Sequence, residues 1–360
     1  MAVVPPSPAL ATPAPSPDRG CRRRVSGAVA VGLGGALAVL TPGLAAAHGP
    51  VPADPPTLAS LAFGWSFEPS VAIPLLVAAA GWLALVRRVR RLHPSSPVPA
   101  FRTAAFLGGL GAIAVALLSG IERYDTTLFS IHMVQHLLLM LVAPPLIALA
   151  APVTLALRAA SPEVRRRVLL PVLHSTVASV LGHPVVAWLA FTLVAWASHF
   201  SPLFDLALEN EGVHTAEHVA FLTAGLLFWW PVVAADPAPR RLTHPVRALY
   251  LLLQMPPSSF LGMAILFAAA PLYPHYASLG TPYGIDPLAD QRLAGGIMWL
   301  AGDVVLIGAI LAVVAAWMRH EERDASAAER RADADRARLR ERADQLARAR
   351  AAGSDADAER

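Results

Sequence analysis

Seven apolar runs, each close to the length that crosses a lipid bilayer, decide what this 360-residue chain can fold into. A hydrocarbon core about 30 Å thick needs about 20 helical residues at 1.5 Å each. The runs fall at about 69–86, 103–119, 128–150, 184–199, 214–233, 248–270 and 293–317. In lipid the backbone polar groups of a span must be satisfied internally, so the runs are expected to be helices. Hydrophobic residues make up 55% of the chain, which excludes an ordinary soluble domain. The expected fold class is all-α: a polytopic membrane helix bundle with about seven transmembrane helices after an N-terminal signal segment.

The flanks differ in composition. Residues 1–47 open with a Pro-, Ala- and Ser-rich extension, then Arg22, Arg23 and Arg24, a short apolar run, and small residues at Ala45 and Ala47. That order describes a signal peptide or an uncleaved signal anchor. Residues 48–68 read as a polar extracytoplasmic segment, 69–318 as the membrane domain, and 319–360 as a charged tail. In the tail, opposite charges recur at helical spacing, which predicts a solvated cytoplasmic helix.

All 29 basic residues are arginines. Arg87, Arg88, Arg90, Arg91 and Arg102 follow the first span, Arg158, Arg165, Arg166 and Arg167 the third, and Arg240, Arg241 and Arg247 the fifth. The alternate loops hold Arg123 and Arg292. Arginine-rich loops stay inside, so the C-terminus is expected in the cytoplasm. The basic excess sits in short loops and the tail, which argues for contact with the lipid bilayer and against a nucleic-acid partner.

This topology turns scattered histidines into a pattern. His132 and His136 open the third span, and His214 and His218 open the fifth in the sequence HTAEH. Four residues is about one helical turn, so each pair shares a face. His199 ends the fourth span at the same level, and His275 lies in an outer loop, whereas His93 and His174 fall among arginines on the other side. Cys21 is the only cysteine, so an intrachain disulfide or thiolate cluster is excluded. A metal would therefore use His132, His136, His214 and His218, with thioethers from Met140 and Met263; Met133 and Met298 are also close. Glu217 could fix an imidazole tautomer. Imidazole with thioether suits copper. The plainer alternative is histidine at a membrane interface and methionine as packing filler.

Other marks are weaker. Pro144 and Pro145 should kink the third span. Gln254, Pro256 and Pro257 interrupt the sixth, and Asp303 is an intramembrane carboxylate that could find a donor or relay protons. LAGGIMWLAG suggests close helix packing, and Trp229 and Trp230 read as interfacial anchors.

Taken in order, HMVQHLLLMLVAPPLIALAAP, HTAEHVAFLTAGLLFWWPVV, QMPPSSFLGMAILF, PLYPHY and PLADQRLAGGIMWLAGD resemble the CtaG-type cytochrome c oxidase assembly factors, over roughly residues 101–320. The resemblance implies a bacterial cytoplasmic-membrane protein that supplies or inserts copper, or otherwise assembles a haem–copper oxidase. Its partners would be cytochrome c oxidase subunits or other assembly factors, and no catalytic residue is implied. The ligand assignment rests on chemistry and topology rather than on the resemblance.

Three other classes share parts of the pattern. A membrane di-iron oxygenase also uses His-x-x-x-His boxes, but this chain has no HxxHH box. A haem-binding protein would take one imidazole from each of two helices. A copper transporter would line the whole span with polar groups or methionines, whereas here they cluster at one end.

Overall fold

The computed structural model describes residues 51–237 and 240–358. The signal segment expected over 1–47 lies outside the described residues. Every described regular element is helical. We label the membrane helices α1 (Pro69–Leu92), α2 (Ala100–Leu118), α3 (Phe129–Ala150, with a π-helical turn), α4 (Pro184–His199), α5 (Glu211–Val233), α6 (His244–Leu266) and α7 (Pro287–Ala358). Six of these are long and apolar enough to cross a membrane by themselves.

The exception is α4. Its 16 residues span about 24 Å, short of a bilayer core. It breaks after His199 and continues, bent by 68°, as Leu203–Glu209. Pro202 stands at the junction as the cap of the second piece. Counted as one span, this pair makes seven and agrees with the sequence; the chain is a multi-pass membrane protein. The bend turns Phe204 inward. Phe204 is wholly buried, with its ring centre 5.2 Å from that of His132 and 5.6 Å from that of His199.

Large apolar side chains at mid-span, such as Leu193, Phe260, Leu300 and Val304, are exposed, as a lipid-facing surface requires. The inner faces pack closely where glycines allow it. A Cβ on Gly262 would lie 2.9 Å from the Gly295 carbonyl oxygen, so α6 and α7 approach backbone to backbone. The small residues of LAGGIMWLAG are therefore an interface. Gly225 does the same between α5 and α3: a Cβ there would meet the Met140 carbonyl oxygen at 2.8 Å.

The prolines resolve differently from a simple kink. Residues Leu138–Val142 form a π-helical turn immediately before Pro144 and Pro145. Proline lacks the N–H that would close the preceding turn, and a wider turn absorbs the loss. The Met140 carbonyl accepts from the Trp229 indole N–H at 3.2 Å. Trp229 is buried and holds the π-turn, so it is not the interfacial anchor its sequence position suggests. On α6, Gln254 is buried, accepts from the Thr192 hydroxyl at 3.1 Å and donates to the Ser258 hydroxyl at 3.1 Å. The Pro257 carbonyl accepts from the Trp196 indole. Asp303 accepts from the Ser259 hydroxyl at 3.0 Å, which ties α6 to α7. Beyond the membrane, α7 continues as one helix into the charged tail.

Candidate metal centre

Two helix starts are fixed by side chains, and those starts place the histidines. At the head of α3, the Asp290 carboxylate from α7 accepts from the Ser130 backbone N–H at 3.2 Å and from its hydroxyl. A carboxylate there also complements the helix dipole. At the head of α5, the Asn210 side chain accepts from the Val213 N–H at 3.1 Å. One turn inward from each cap come the two His-x-x-x-His pairs.

The pairs converge. Ring centres are 4.3 Å apart for His132–His136, 4.2 Å for His214–His218 and 5.2 Å for His132–His214. All four histidines are buried. Two carboxylates flank them: Asp125 Oδ2 lies 3.6 Å from His214 Nε2, and Glu217 Oε2 lies 3.8 Å from His136 Nε2. Three groups of donors each fall within 4.8 Å: His132, His136 and His218; Asp125, His214 and His218; His132, His214 and Glu217. Asp125 is fully buried, and burial pushes its carboxyl up to about 8, against the N–H of Thr126 pulling it down. Asp125 Oδ2, Glu217 Oε2 and His136 Nδ1 are buried without a hydrogen-bond partner among the described residues. Native interiors rarely leave such atoms unmatched, and each of these residues belongs to one of the three donor groups that could take a cation. The donor set therefore fits a metal ion on its own chemistry.

Hydrogen bonds assign the ring proton in His132 and His218. The Tyr276 hydroxyl donates to the Asp125 backbone carbonyl at 2.6 Å, so it can only accept from His132 Nδ1, 3.0 Å away. Burial and the nearby Asp125 charge raise the Tyr276 phenol well above its ordinary value, which keeps that donor proton in place. His132 thus presents its lone pair at Nε2. His218 Nε2–H donates to Gln135 Oε1 at 3.2 Å, which puts its lone pair on Nδ1. Gln135 is itself held, its amide donating to the Ala116 carbonyl at 3.1 Å and to Glu122. Outer partners of this kind are what set ligand orientation in metal sites.

A small cavity of about 50 Å³ opens beside the cluster, lined by Met133, His136, Met140, His199, Phe221 and Met298 among others. That volume has room for a few waters or an ion. Met133, His136 and Met140 follow the i, i+3, i+7 ridge of α3, so they share one face. Met140 therefore stands beside His136 as the sequence suggests. Met263 is half-buried on α6 and is not among the residues lining this cavity. His93 and His174 are exposed, His93 lying against Arg158 at the far end of the bundle.

Asp125 and Gln135 escaped the sequence reading, and Met133 and His199 were placed nearby without being assigned as ligands; all four reach the centre or its cavity. His199 carried a signal, since it ends the fourth span at the right level, and Met133 lies on the ridge just described. Gln135 sits between the two histidines of α3, where a polar residue in an apolar run is itself a mark. Asp125 is in a short loop, where acidic residues are ordinarily solvated.

The chain is thus a multi-pass helical membrane bundle with a buried cluster of histidines and carboxylates at one end of its spans. Residues 80–320 match the family model of the cytochrome c oxidase caa3 assembly factors, and the chain belongs to that family. Uncharacterized proteins of Mycobacterium bovis and Mycobacterium tuberculosis are each 33% identical over 289 residues, covering 78% of this chain and 43% of theirs. A Mycobacterium leprae protein is 33% identical over 287 residues with the same coverage. The chain thus spans less than half the length of these relatives. No solved structure matches.

Proposed function

We propose that this protein handles copper as cargo during assembly of a haem–copper cytochrome c oxidase. His132, His136, His214 and His218 hold the ion, and Asp125 and Glu217 balance its charge. Met140 stands at the cavity face. The observation that carries this reading is the convergence of two separate His-x-x-x-His pairs and two carboxylates in one buried centre. Imidazole and carboxylate would also accept zinc or iron; thioethers lining the adjoining cavity favour copper.

The arginine asymmetry supports an outer position for this centre in the cytoplasmic membrane, with the C-terminus inside. Copper would then arrive from outside and pass to oxidase subunits or other assembly factors. The protein's part is to bind, shield and release the ion. The test is a deletion strain grown in low copper. Oxidase activity should fall and the enzyme should be copper-deficient, with other respiratory activities retained; full oxidase activity there contradicts the role.

A further inference from the structure

Beside the four-histidine centre lies a contact that hydrogen bonding does not explain. His199 Nε2 stands 3.2 Å from the Met133 sulfur, and both residues are buried. His199 Nδ1 lies 2.7 Å from the Ala195 carbonyl oxygen, which can only accept. The ring proton is therefore on Nδ1. The Ser198 hydroxyl also donates to Ala195 O, at 3.1 Å, so its oxygen, 3.0 Å from Nδ1, is a second acceptor for the same N–H. Nε2 is left with a bare lone pair, and a thioether sulfur has no hydrogen to offer. Two lone pairs face each other in van der Waals contact, away from water.

We infer that His199 and Met133 form a second metal position, selective for a soft monovalent ion of the Cu(I) class, distinct from the histidine–carboxylate centre. A cation between the two donors relieves this lone-pair opposition. A tetrahedral ion with bonds of about 2.0 Å to nitrogen and 2.3 Å to sulfur holds those donors about 3.5 Å apart. The observed 3.2 Å is a few tenths short, a gap that a methionine with three rotatable bonds closes readily. Further soft donors are at hand, since His136, Met140 and Met298 line the same cavity. The two positions differ in chemistry. Asp125, Glu217 and four imidazoles form a harder, anionic set, whereas the His199–Met133 position is neutral and soft. His136 borders both, with its ring centre 5.8 Å from that of His199.

This inference deepens the copper reading, and its test separates the two. The full chain in detergent is titrated anaerobically with Cu(I) against a competing chelator, and X-ray absorption reads the ligands. The parent should show a sulfur neighbour of copper. Met133→Leu, close in volume and therefore compatible with the fold, should lose that sulfur and one equivalent of Cu(I). His199→Gln should lose the same equivalent. Copper in the histidine–carboxylate centre should remain in both. Conversely, His214→Ala should empty that centre and keep the sulfur-bound ion. A parent spectrum without sulfur, or a sulfur neighbour that survives Met133→Leu, overturns the second position. Loss of copper from His214→Ala alone would leave the first reading standing without it.

Discussion

The Nε2 atoms of His132 and His136 lie 2.9 Å apart in the interior of the bundle. Because Tyr276 accepts from the His132 Nδ1–H, Nε2 of His132 is an acceptor and His136 must donate to it through Nε2, which leaves its own Nδ1 without a proton. Tyr276, His132 and His136 therefore form a chain of hydrogen bonds with fixed tautomers.

Removing the Tyr276 hydroxyl should break that chain. Tyr276→Phe leaves a buried His132 N–H and the Asp125 carbonyl without their partner, a cost of about 1–3 kcal/mol. The His132 tautomer should shift, read by nitrogen NMR of the labelled ring, and copper affinity should fall. An unchanged tautomer would remove Tyr276 from its positioning role.

Gln135 should matter through His218. In Gln135→Leu the His218 ring loses its acceptor, and copper affinity should drop on the order of 10- to 100-fold. Glu217→Gln should cost a comparable or smaller factor, since it keeps size and loses charge. Equilibrium competition with a chelator measures both.

The π-turn at the centre's base should tolerate no bulk. Gly225→Ala would drive a Cβ into the Met140 carbonyl and Pro144, which should destabilise the bundle by about 1–3 kcal/mol. Gly296, with open space around it, serves as the control: Gly296→Ala should be neutral or stabilising by up to about 1 kcal/mol. Thermal unfolding in detergent compares them.

Orientation is open to direct reading. A reporter fused after Arg319 should be active in the cytoplasm, and one in the loop near Ser201 outside it. The opposite pattern would place the centre on the inner face and end the argument that copper arrives from outside.

The spans were legible because hydropathy over a bilayer length is a strong constraint; most ends differ by up to about six residues, and α7 alone runs far past its apolar stretch, to Ala358. The fourth was less clear: apolarity ran to His199, but the break at Pro202 and the inward swing of Phe204 depend on packing. In the centre, the two histidine pairs could be read because i, i+4 spacing defines a face within one helix. Which helix faces which face is not written in that spacing. Hence Met263 looked as near as Met140, whereas Met133 reaches the cavity and meets His199 from α4. Asp125 was hidden for another reason. Its burial comes from Tyr276 and the short helix Pro274–Ser278 folding over the loop, a long-range contact without periodicity in sequence.

Metal content of the purified full-length protein bears most directly on the proposed centre. Copper stoichiometry and affinity are measured for the parent and for His132→Ala, His136→Ala, His214→Ala and His218→Ala, with His93→Ala and His174→Ala as exposed controls. Each centre variant should lose copper or bind it far more weakly, and both controls should match the parent. If all four centre variants bind copper as the parent does, the buried histidines do not hold the ion and the proposed function loses its site.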